Sequence, residues 1–264
     1  ELKAIRAHSD FAPEIDRDAL ASFLRFSYVP APHSIYRGIK KLLPGHMLCL
    51  KSPLSENNPQ SYWSLEEVMH ASNRDPFSGS DEEVVGELEK QLKKTVRSRM
   101  VSDVPLGAFL SGGIDSSTVV ALMQAQSDRP VNTFTIGFHE QEFNEAVHAK
   151  KVAEYLGTNH TELYVTPQEA MDVIPKLPEM YDEPFADSSQ IPTHLISTLS
   201  KKHVTVALSG DGGDELFAGY NRYLIAERLW KVVKYMPSDM KNKIAGLLTG
   251  FSPDNVERFY SKVD

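Results

Sequence analysis

The chain has 264 residues, 41% of them hydrophobic, which is enough to bury a sizeable core in one or two domains. Its net charge of −8 argues against a general nucleic-acid-binding surface, and it has neither an apolar run of membrane-spanning length nor an N-terminal signal pattern. The single cysteine, Cys49, cannot form an internal disulfide and lies in an apolar run, so we expect a buried thiol. We therefore expect a cytoplasmic protein with no membrane or nucleic-acid partner.

Residues 1–79 are irregular and interrupted by prolines. Their apolar pattern predicts a helix over 17–26 and a strand-like stretch near 46–50. Residues 52–79 contain three prolines and several serines and asparagines, which predicts a linker or surface loop. We identify no complete domain in this first part of the chain.

From residue 80 onward the pattern is that of a regular α/β domain. Ser80 and Glu83 have the spacing of a helix capping box, and apolar residues then recur at every fourth position. The predicted helices are 81–100, 115–126, 144–156, 167–174, 189–202 and 214–235, and the predicted strands are 106–110, 132–137, 160–165 and 204–208. This alternation predicts an α/β fold, a parallel sheet flanked by helices, which binds ligands at the carboxyl ends of its strands.

A glycine turn, LSGGIDSST, follows the first of these strands at residues 110–118. Gly112 and Gly113 allow a tight turn and close approach of a ligand, and the N-terminus of the next helix attracts phosphate. The turn lacks the Gly-Lys-Ser/Thr of a Walker loop and carries Asp115, a hard oxygen ligand for magnesium. It therefore favours chemistry at the α-phosphate of a nucleotide over γ-phosphoryl transfer, although an ordinary serine-capped turn is the alternative.

A second glycine loop, SGDGGDE, follows the last predicted strand at residues 209–215. Asp211, Asp214 and Glu215 place three carboxylates beside glycine backbone donors, and a magnesium ion or a cationic substrate group would offset their repulsion. A solvated acidic turn is the alternative.

The two loops together resemble a known family. SGGIDS (111–116) resembles the pyrophosphate loop of the ATP pyrophosphatases, and SGDGGDELFAGYNRY (209–223) resembles the second loop of glutamine-hydrolysing asparagine synthetases. TFTIGF (133–138), VAEYLGTNHTEL (152–163) and IYRGIKKLLPGHML (35–48) resemble other segments of that family in the same order.

The resemblance implies a domain organisation and a fold. Residues 1–79 would be the tail of an N-terminal glutaminase domain and a linker, and residues 80–264 would be the N-terminal portion of a truncated synthetase domain. The implied fold is that of the adenine nucleotide alpha hydrolases that carry a pyrophosphate loop.

The resemblance also assigns roles to individual residues. The implied ATP-binding residues are Leu110, Ser111, Gly112, Gly113, Asp115, Ser116, Ile136, Ser209 and Gly210, of which Ser111, Gly112, Gly113 and Ser116 would hold the pyrophosphate. Asp115 and Asp214 match the magnesium-binding carboxylates of the family. Asp211, where the family often has glutamate, would promote formation of the acyl-adenylate, so that Asp115, Asp211 and Asp214 form the implied catalytic set.

Four further residues are candidates for the substrate side of the pocket. The acids of the segment DEPFADSS (182–189), Asp187 above all, occur where the family has a substrate loop, although Ser188 or Ser189 is explained by capping of the next helix. Glu215 and Tyr220 lie in and after the second loop. Arg222 could pair with a substrate carboxylate or lie on a solvated helix face.

The implied reaction is a two-step amide synthesis. The side-chain carboxylate of aspartate attacks the α-phosphorus of ATP to give β-aspartyl-AMP and pyrophosphate, with magnesium as cofactor, and ammonia then displaces AMP to give asparagine. In the full-length protein the ammonia would come from glutamine, and the full-length protein could form a homodimer. This chain has no candidate for the cysteine nucleophile of the family's glutaminase, so alone it is expected to be inactive or to use free ammonia.

Three alternatives use the same loops. A β-lactam-forming synthetase would close a ring without ammonia, a related amidotransferase would activate another carboxylate, and a noncatalytic module would bind the nucleotide without reaction. The presence of Asp115, Asp211 and Asp214 favours an enzyme over a noncatalytic module.

Overall fold

The computed structural model of the protein describes residues 1–52, 58–138 and 144–249. The chain divides into two compact units, Glu1–Gly210 and Asp211–Asp264, and each is described by itself.

The first unit contains nine helices and six strands within its described residues. The helices are α1 (Leu2–Arg6), α2 (Arg17–Phe26), α3 (Leu65–Arg74), α4 (Asp81–Arg99), α5 (Ile114–Gln124), α6 (Ala146–Leu156), α7 (Pro167–Met171), α8 (Leu177–Met180) and α9 (Gln190–Ser200), with a 3₁₀ turn at Ile174–Lys176. The strands are β1 (His46–Met47), β2 (Gln60–Ser61), β3 (Leu106–Phe109), β4 (Asn132–Phe138), β5 (Asn159–Val165) and β6 (Val206–Leu208).

Strands β3 to β6 form one parallel sheet in the order β5-β4-β3-β6. The chain runs from β3 to β4 and β5 on one side and then crosses back to place β6 on the other side of β3. The strand order therefore reverses between β3 and β6. In an open α/β sheet such a switch point opens a ligand crevice at the carboxyl ends of the two strands.

Helices cover both faces of this sheet. On one face, Ala108 and Leu110 pack with Val120 and Met123 of α5 and Ala149 of α6. On the other face, Phe134 of β4 packs with Leu199 of α9 and with Val204. Because successive strand residues point to opposite faces, the apolar runs of β3 and β4 supply both cores at once. The predicted α/β fold with a parallel sheet flanked by helices is confirmed.

A separate small core holds the N-terminal segment. The carboxylate of Asp16 caps α2 by accepting hydrogen bonds from the N–H groups of Asp18 and Ala19. Ala19 then packs with Val29, Ile35 and Tyr36. The predicted helix over 17–26 is confirmed.

Two predictions for the region before residue 80 are wrong. The segment 52–79 is not only linker, because it contains β2, which pairs antiparallel with β1, and the ten-residue α3, capped by Ser64. Cys49 is exposed rather than buried. Cys49 lies two residues beyond the end of β1 at Met47, in a stretch, residues 47–50, that is exposed throughout.

The second unit contains the helices α10 (Gly213–Phe217), α11 (Asn221–Val233) and α12 (Ser238–Thr249). The single helix predicted over 214–235 is wrong, because the chain leaves helical geometry at Ala218, which has φ 56° in the left-handed region. Residues 250–264 lie outside the described part of the chain. Over the described residues, no helix combines the length and the apolar character needed to cross a membrane.

Candidate functional site

The first glycine loop begins where β3 ends. Leu110 is 1% exposed and donates its N–H to the carbonyl of Phe134 in β4, 2.9 Å away, so the last residue before the loop is fixed in the sheet. The loop then passes through Gly112, whose φ of +83° lies in the left-handed region that favours glycine, and enters α5 at Ile114. The turn predicted from the sequence is confirmed.

Two serine hydroxyls connect the ends of the loop. Ser116 is buried, and its hydroxyl accepts the N–H of Ser111 at 3.2 Å and lies 2.9 Å from the hydroxyl of Ser111. Ser111 in turn accepts the N–H of Gly113 at 3.3 Å. The hydroxyls therefore hold the loop closed upon the first turn of α5, and both belong to the predicted pyrophosphate-binding set.

Helix α6 supports the loop from one side. A Cβ added at Gly112 would lie 2.7 Å from the backbone nitrogen of Ala149 and 2.8 Å from the carbonyl carbon of His148. Ala149 is completely buried. Any side chain at position 112 would thus collide with the backbone of α6, which cannot move aside as a flexible side chain can.

The N-terminus of α5 is the candidate anion-binding element of the loop. Its N-cap residue, Gly113, has no side chain with which to cap the N–H groups of the first turn. Asp115 lies half-buried in that turn. A helix start of this kind directs backbone N–H groups and the positive end of the helix dipole at an anion, while the carboxylate can hold a cation beside it.

The start of the second glycine loop lies against the same turn. Ser209 and Gly210 follow β6, the strand next to β3. A Cβ added at Gly210 would lie 2.7 Å from the backbone nitrogen of Ser116 and 3.0 Å from the carbonyl carbon of Asp115. The switch point of the sheet therefore brings together residues 111–116 and 209–210, which are about a hundred positions apart in the sequence.

Ile136, the remaining predicted nucleotide contact, lies in β4. The register pairs Phe109 with Phe134, so Ile136 stands level with Ser111 towards the carboxyl end of the sheet. It is half-buried, in a strand whose neighbouring residue, Gly137, is crowded by Ala146 of α6. The predicted nucleotide-binding residues of the first unit thus all lie at one end of β3, β4 and β6.

The second unit carries the acidic part of the second loop. Asp211 is exposed, and Gly212, with φ +94°, is the N-cap of the short helix α10. Asp214 is half-buried in the first turn, and a Cβ added at Gly219 would lie 1.9 Å from its Oδ1 atom. The N–H of Gly219 also donates to the main-chain carbonyl of Asp214 at 3.0 Å. Only glycine at position 219 leaves the observed orientation of this carboxylate possible.

Glu215, Tyr220 and Arg222 form a local stack after this loop. The hydroxyl of Tyr220 donates to Oε1 of Glu215 at 2.8 Å, and this hydrogen bond raises the pKa of Tyr220 above its ordinary value. The guanidinium carbon of Arg222 lies 4.1 Å from the centre of the Tyr220 ring and 5.5 Å from that of Tyr223. Arg222 therefore makes cation–π contacts in this structure.

The acids of the segment 182–187 separate into two groups. Asp182 and Glu183, weighed from the sequence as pocket residues, instead accept hydrogen bonds from residues 2, 3, 35 and 41 of the N-terminal segment. Asp187 is exposed and accepts the N–H of Ser189 at 2.8 Å, which lowers the pKa of Asp187. The prediction that Ser188 or Ser189 caps the next helix is confirmed for the position, because Ser189 is the N-cap residue of α9, but the side chain of Ser189 makes no cap hydrogen bond.

Sequence reasoning did not identify the support of the first loop by α6. The signal present in the sequence is a row of alanines, Ala146, Ala149 and Ala153, at helical spacing. All three are at most 1% exposed. Small residues at this spacing indicate close approach of another backbone, here that of Gly112 and Gly137.

Within the part of the chain that the structure describes, no group of three or more His, Cys, Asp or Glu side chains could hold a metal ion. A magnesium site built from one or two carboxylates and the phosphates of a nucleotide needs no such group. Asp115 beside an uncapped helix start fits that kind of site.

A sequence model of the asparagine synthase family matches residues 87–262, about two thirds of the chain. The chain belongs to the asparagine synthase family. Both glycine loops lie within the matched range. Residues 1–63 match the model of a glutamine amidotransferase domain.

Curated relatives of the asparagine synthase family extend over most of this chain. Glutamine-hydrolyzing asparagine synthetase 1 from Bacillus subtilis is 37% identical over 88% of this chain and 35% of its own length. A putative glutamine-hydrolyzing asparagine synthetase 2 from Methanocaldococcus jannaschii is 38% identical over 87% of this chain and 44% of its own length. The chain thus spans less than half the length of these two relatives.

Among solved structures, an NH3-dependent NAD synthetase from Campylobacter jejuni matches with a TM-score of 0.37 and 14% identity, over 67% of this chain and 92% of that one. A match of this quality carries no argument about the site.

Proposed function

We propose that the whole protein catalyses ATP-dependent amide synthesis, in which the side-chain carboxylate of aspartate is adenylated and ammonia then displaces AMP to give asparagine. Pyrophosphate is released in the first step. A carboxylate resists attack by an amine, and adenylation gives it a leaving group. The proposal places the reaction in the cytoplasm and, in the whole protein, takes the ammonia from glutamine.

The observation that carries this proposal is the meeting of the two loop starts at the switch point of the sheet. Gly210 approaches the first turn of α5 so closely that no side chain fits between them. The uncapped N–H groups of that turn, with Ser111 and Ser116 beside them, form a place for the pyrophosphate part of ATP. Membership of the asparagine synthase family supports the same assignment.

The residues take different roles in the proposal. Backbone N–H groups of residues 112–116 hold the phosphates and spread the negative charge that develops on pyrophosphate. Leu110 and Ile136 border the nucleotide base, and Ser209 and Gly210 contact the nucleotide from the side of β6. The apolar packing beneath Leu110 limits access of water to an acyl-adenylate.

We propose Asp115 and Asp214 as carboxylate ligands of magnesium. When bound, the ion would offset the negative charge of the phosphates. Asp211 would promote formation of the acyl-adenylate, as its glutamate counterpart is implied to do in the family. For Asp211 and Asp214 the support is the sequence of the second loop and the orientation that Gly219 permits for Asp214. Asp187, Glu215, Tyr220 and Arg222 stay candidates for contact with the second substrate.

The direct test measures pyrophosphate release by the whole protein with ATP, magnesium and ammonia. We expect release only when aspartate is supplied, and asparagine and AMP in equal amounts as the other products. Glutamate serves as the matched control, because it is longer than aspartate by one methylene. Release that depends on another carboxylate, or ring closure without ammonia, would contradict the proposal.

A further inference from the structure

The segment 179–186 binds the N-terminal segment of the chain through several hydrogen bonds. Asp182 accepts the N–H of Leu2 at 2.9 Å and that of Lys3 at 3.2 Å, one on each carboxylate oxygen. The ammonium group of Lys3 lies 3.7 Å from the same carboxylate. Asp182 therefore holds the start of α1 rather than facing a pocket.

Glu183 binds a different part of the N-terminal segment. One of its oxygens accepts the N–H of Ile35 at 3.1 Å, and the other forms an ion pair with Lys41. The Glu183 side chain is 19% exposed and that of Lys41 is 33% exposed. Lys41 also donates to the carbonyl of Val29, so its ammonium group joins Glu183 to a second position of the N-terminal segment. Partial burial makes the removal of either charge costly.

Main-chain groups complete the contact. The N–H of Ala186 donates to the carbonyl of Ser27 at 2.8 Å. The ammonium group of Lys3 donates to the carbonyls of Glu179 and Met180 at 3.1 and 3.3 Å. We call residues 179–186 the docking segment. Each of its ends and its two central acids contact residues of the first 41 positions.

The two sides of this contact match the models of two different domain families. Residues 1–63 match a glutamine amidotransferase domain, whereas the docking segment lies within the asparagine synthase match at 87–262. Each side has its own hydrophobic core, around Ile35 in the N-terminal segment and around Leu110 at the sheet. Polar groups of the docking segment therefore connect two separately packed parts.

The docking segment is also connected to the nucleotide-binding end of the sheet. It leads directly into α9, whose Leu199 and Ile196 pack against Phe134 of β4. Phe134 accepts the hydrogen bond of Leu110, the residue before the first glycine loop. A displacement of the docking segment would reach the sheet through this contact.

We propose that Asp182 and Glu183 are positioning residues for the use of glutamine, because they fix the amidotransferase-like segment on the synthetase part. Glutamine hydrolysis with water gives glutamate and ammonia, and that ammonia must reach an acyl-adenylate before water does. A correct fit of the two parts therefore matters for ammonia made from glutamine and not for ammonia supplied in the solution. This inference rests on the proposed function.

The test compares Asp182→Asn and Glu183→Gln with the wild type in the whole protein. Pyrophosphate, asparagine and glutamate formation are measured with glutamine, and pyrophosphate and asparagine formation are measured again with saturating ammonium chloride. We expect each variant to lose about tenfold in asparagine formed per glutamine hydrolysed, because a charged hydrogen bond is lost. The rate with ammonium chloride should stay within about twofold of the wild type, since no ligand of the nucleotide changes.

Glu179→Gln is the matched control, because Glu179 contacts Lys3 through its main-chain carbonyl, which the substitution retains. It should leave both rates unchanged. Hydrogen exchange of residues 27–41 gives a readout that does not depend on activity, and it should rise in Glu183→Gln and not in the control.

The outcomes separate the two proposals. If wild-type protein forms no asparagine from ammonium chloride, aspartate and ATP, the proposed function fails. If it does, and the variants lose the glutamine-dependent and ammonia-dependent rates equally, or keep both, the positioning role of Asp182 and Glu183 is wrong. Unchanged hydrogen exchange at 27–41 would overturn it as well.

Discussion

The two glycine loops each follow a strand of the parallel sheet, but the contacts that hold them come from different parts of the chain. The first loop, residues 111–116, is fixed by contacts from distant parts of the chain, namely β4 through Leu110, α6 through Gly112 and the end of β6 through Gly210. In the acidic part of the second loop, Gly219 limits the orientation of Asp214, and Tyr220 donates a hydrogen bond to Glu215. The first loop therefore depends on contacts with three other elements of its unit, whereas the carboxylates of Asp214 and Glu215 are oriented by residues a few positions away.

The largest expected effect is a loss of pyrophosphate release, and we expect it from one carboxylate in each loop despite the difference in how the loops are held. Asp115→Asn and Asp214→Asn should each lower pyrophosphate release by about 100-fold or more, because each removes a proposed magnesium ligand. Circular dichroism should show the fold intact. Asp128→Asn, an exposed acid after α5, is the control and should retain full activity. Activity retained in either loop variant would refute the metal role of that residue.

The next effect tests the structural difference directly. Gly112→Ala and Gly212→Ala both place a side chain on a residue with positive φ, but only Gly112 has backbone atoms within 3 Å of the new Cβ. We expect Gly212→Ala to cost about 1 kcal/mol of unfolding free energy from the backbone conformation alone. Gly112→Ala should cost about 2–4 kcal/mol because a collision with α6 is added.

Urea-induced unfolding gives the unfolding free energy of both variants. A nucleotide-binding titration should show loss of ATP affinity for Gly112→Ala. Equal destabilisation of the two variants would mean that α6 does not support the first loop.

A smaller effect is expected from Gly219→Ala. The new Cβ would displace the carboxylate of Asp214, which is the end of a side chain and can rotate away, so the unfolding free energy should change little. Pyrophosphate release should nevertheless fall about tenfold, because displacement of a proposed metal ligand costs rate out of proportion to stability. Gly246→Ala in α12, where a Cβ meets nothing within 4 Å, is the control. An unchanged rate in Gly219→Ala would show that the orientation of Asp214 is not used.

The smallest effect concerns the contact between Tyr220 and Glu215. The pKa of Tyr220 is raised because its protonated hydroxyl donates a hydrogen bond to Glu215. The contribution of this hydrogen bond to folding stability is therefore present below the ordinary tyrosine pKa and is lost as the pH rises through the raised value. Glu215→Ala, which removes both the hydrogen-bond acceptor and the charge, should move the pKa of Tyr220 back towards its ordinary value, as measured by NMR titration between about pH 8 and 12. The urea midpoint at neutral pH should not change measurably, because both side chains are at the surface. A pKa that stays raised would contradict the assignment to Glu215.

Features that depend on neighbours in the sequence were predictable. The apolar runs gave the four parallel strands, the spacing of Ser80 and Glu83 gave a capping box that the structure contains, and the glycines of both loops marked turns. The break at Ala218 was not predictable, because alanine is a strong helix former and seldom adopts a left-handed conformation.

Contacts between distant parts of the chain were beyond a single sequence. Asp182 and Glu183 were weighed as pocket acids because their partners, residues 2 to 41, lie about 140 to 180 positions away. The support of Gly112 by Ala149 was missed for the same reason. Conversely, the family resemblance supplied residues that local chemistry alone did not single out, such as Ile136, which the structure places level with Ser111.

The pair of hydroxyls on Ser111 and Ser116 has a consequence for how the first loop changes partners. Their oxygens lie 2.9 Å apart, and either can be the donor. A hydroxyl hydrogen can turn about its C–O bond while every heavy atom stays in place. In the proposed function, the loop would exchange a hydrogen bond within itself for one with a phosphate oxygen by rotating a single hydroxyl proton. Under the proposed function, phosphate binding at this position would need no movement of the heavy atoms of the loop, and it would therefore cost little free energy of ordering.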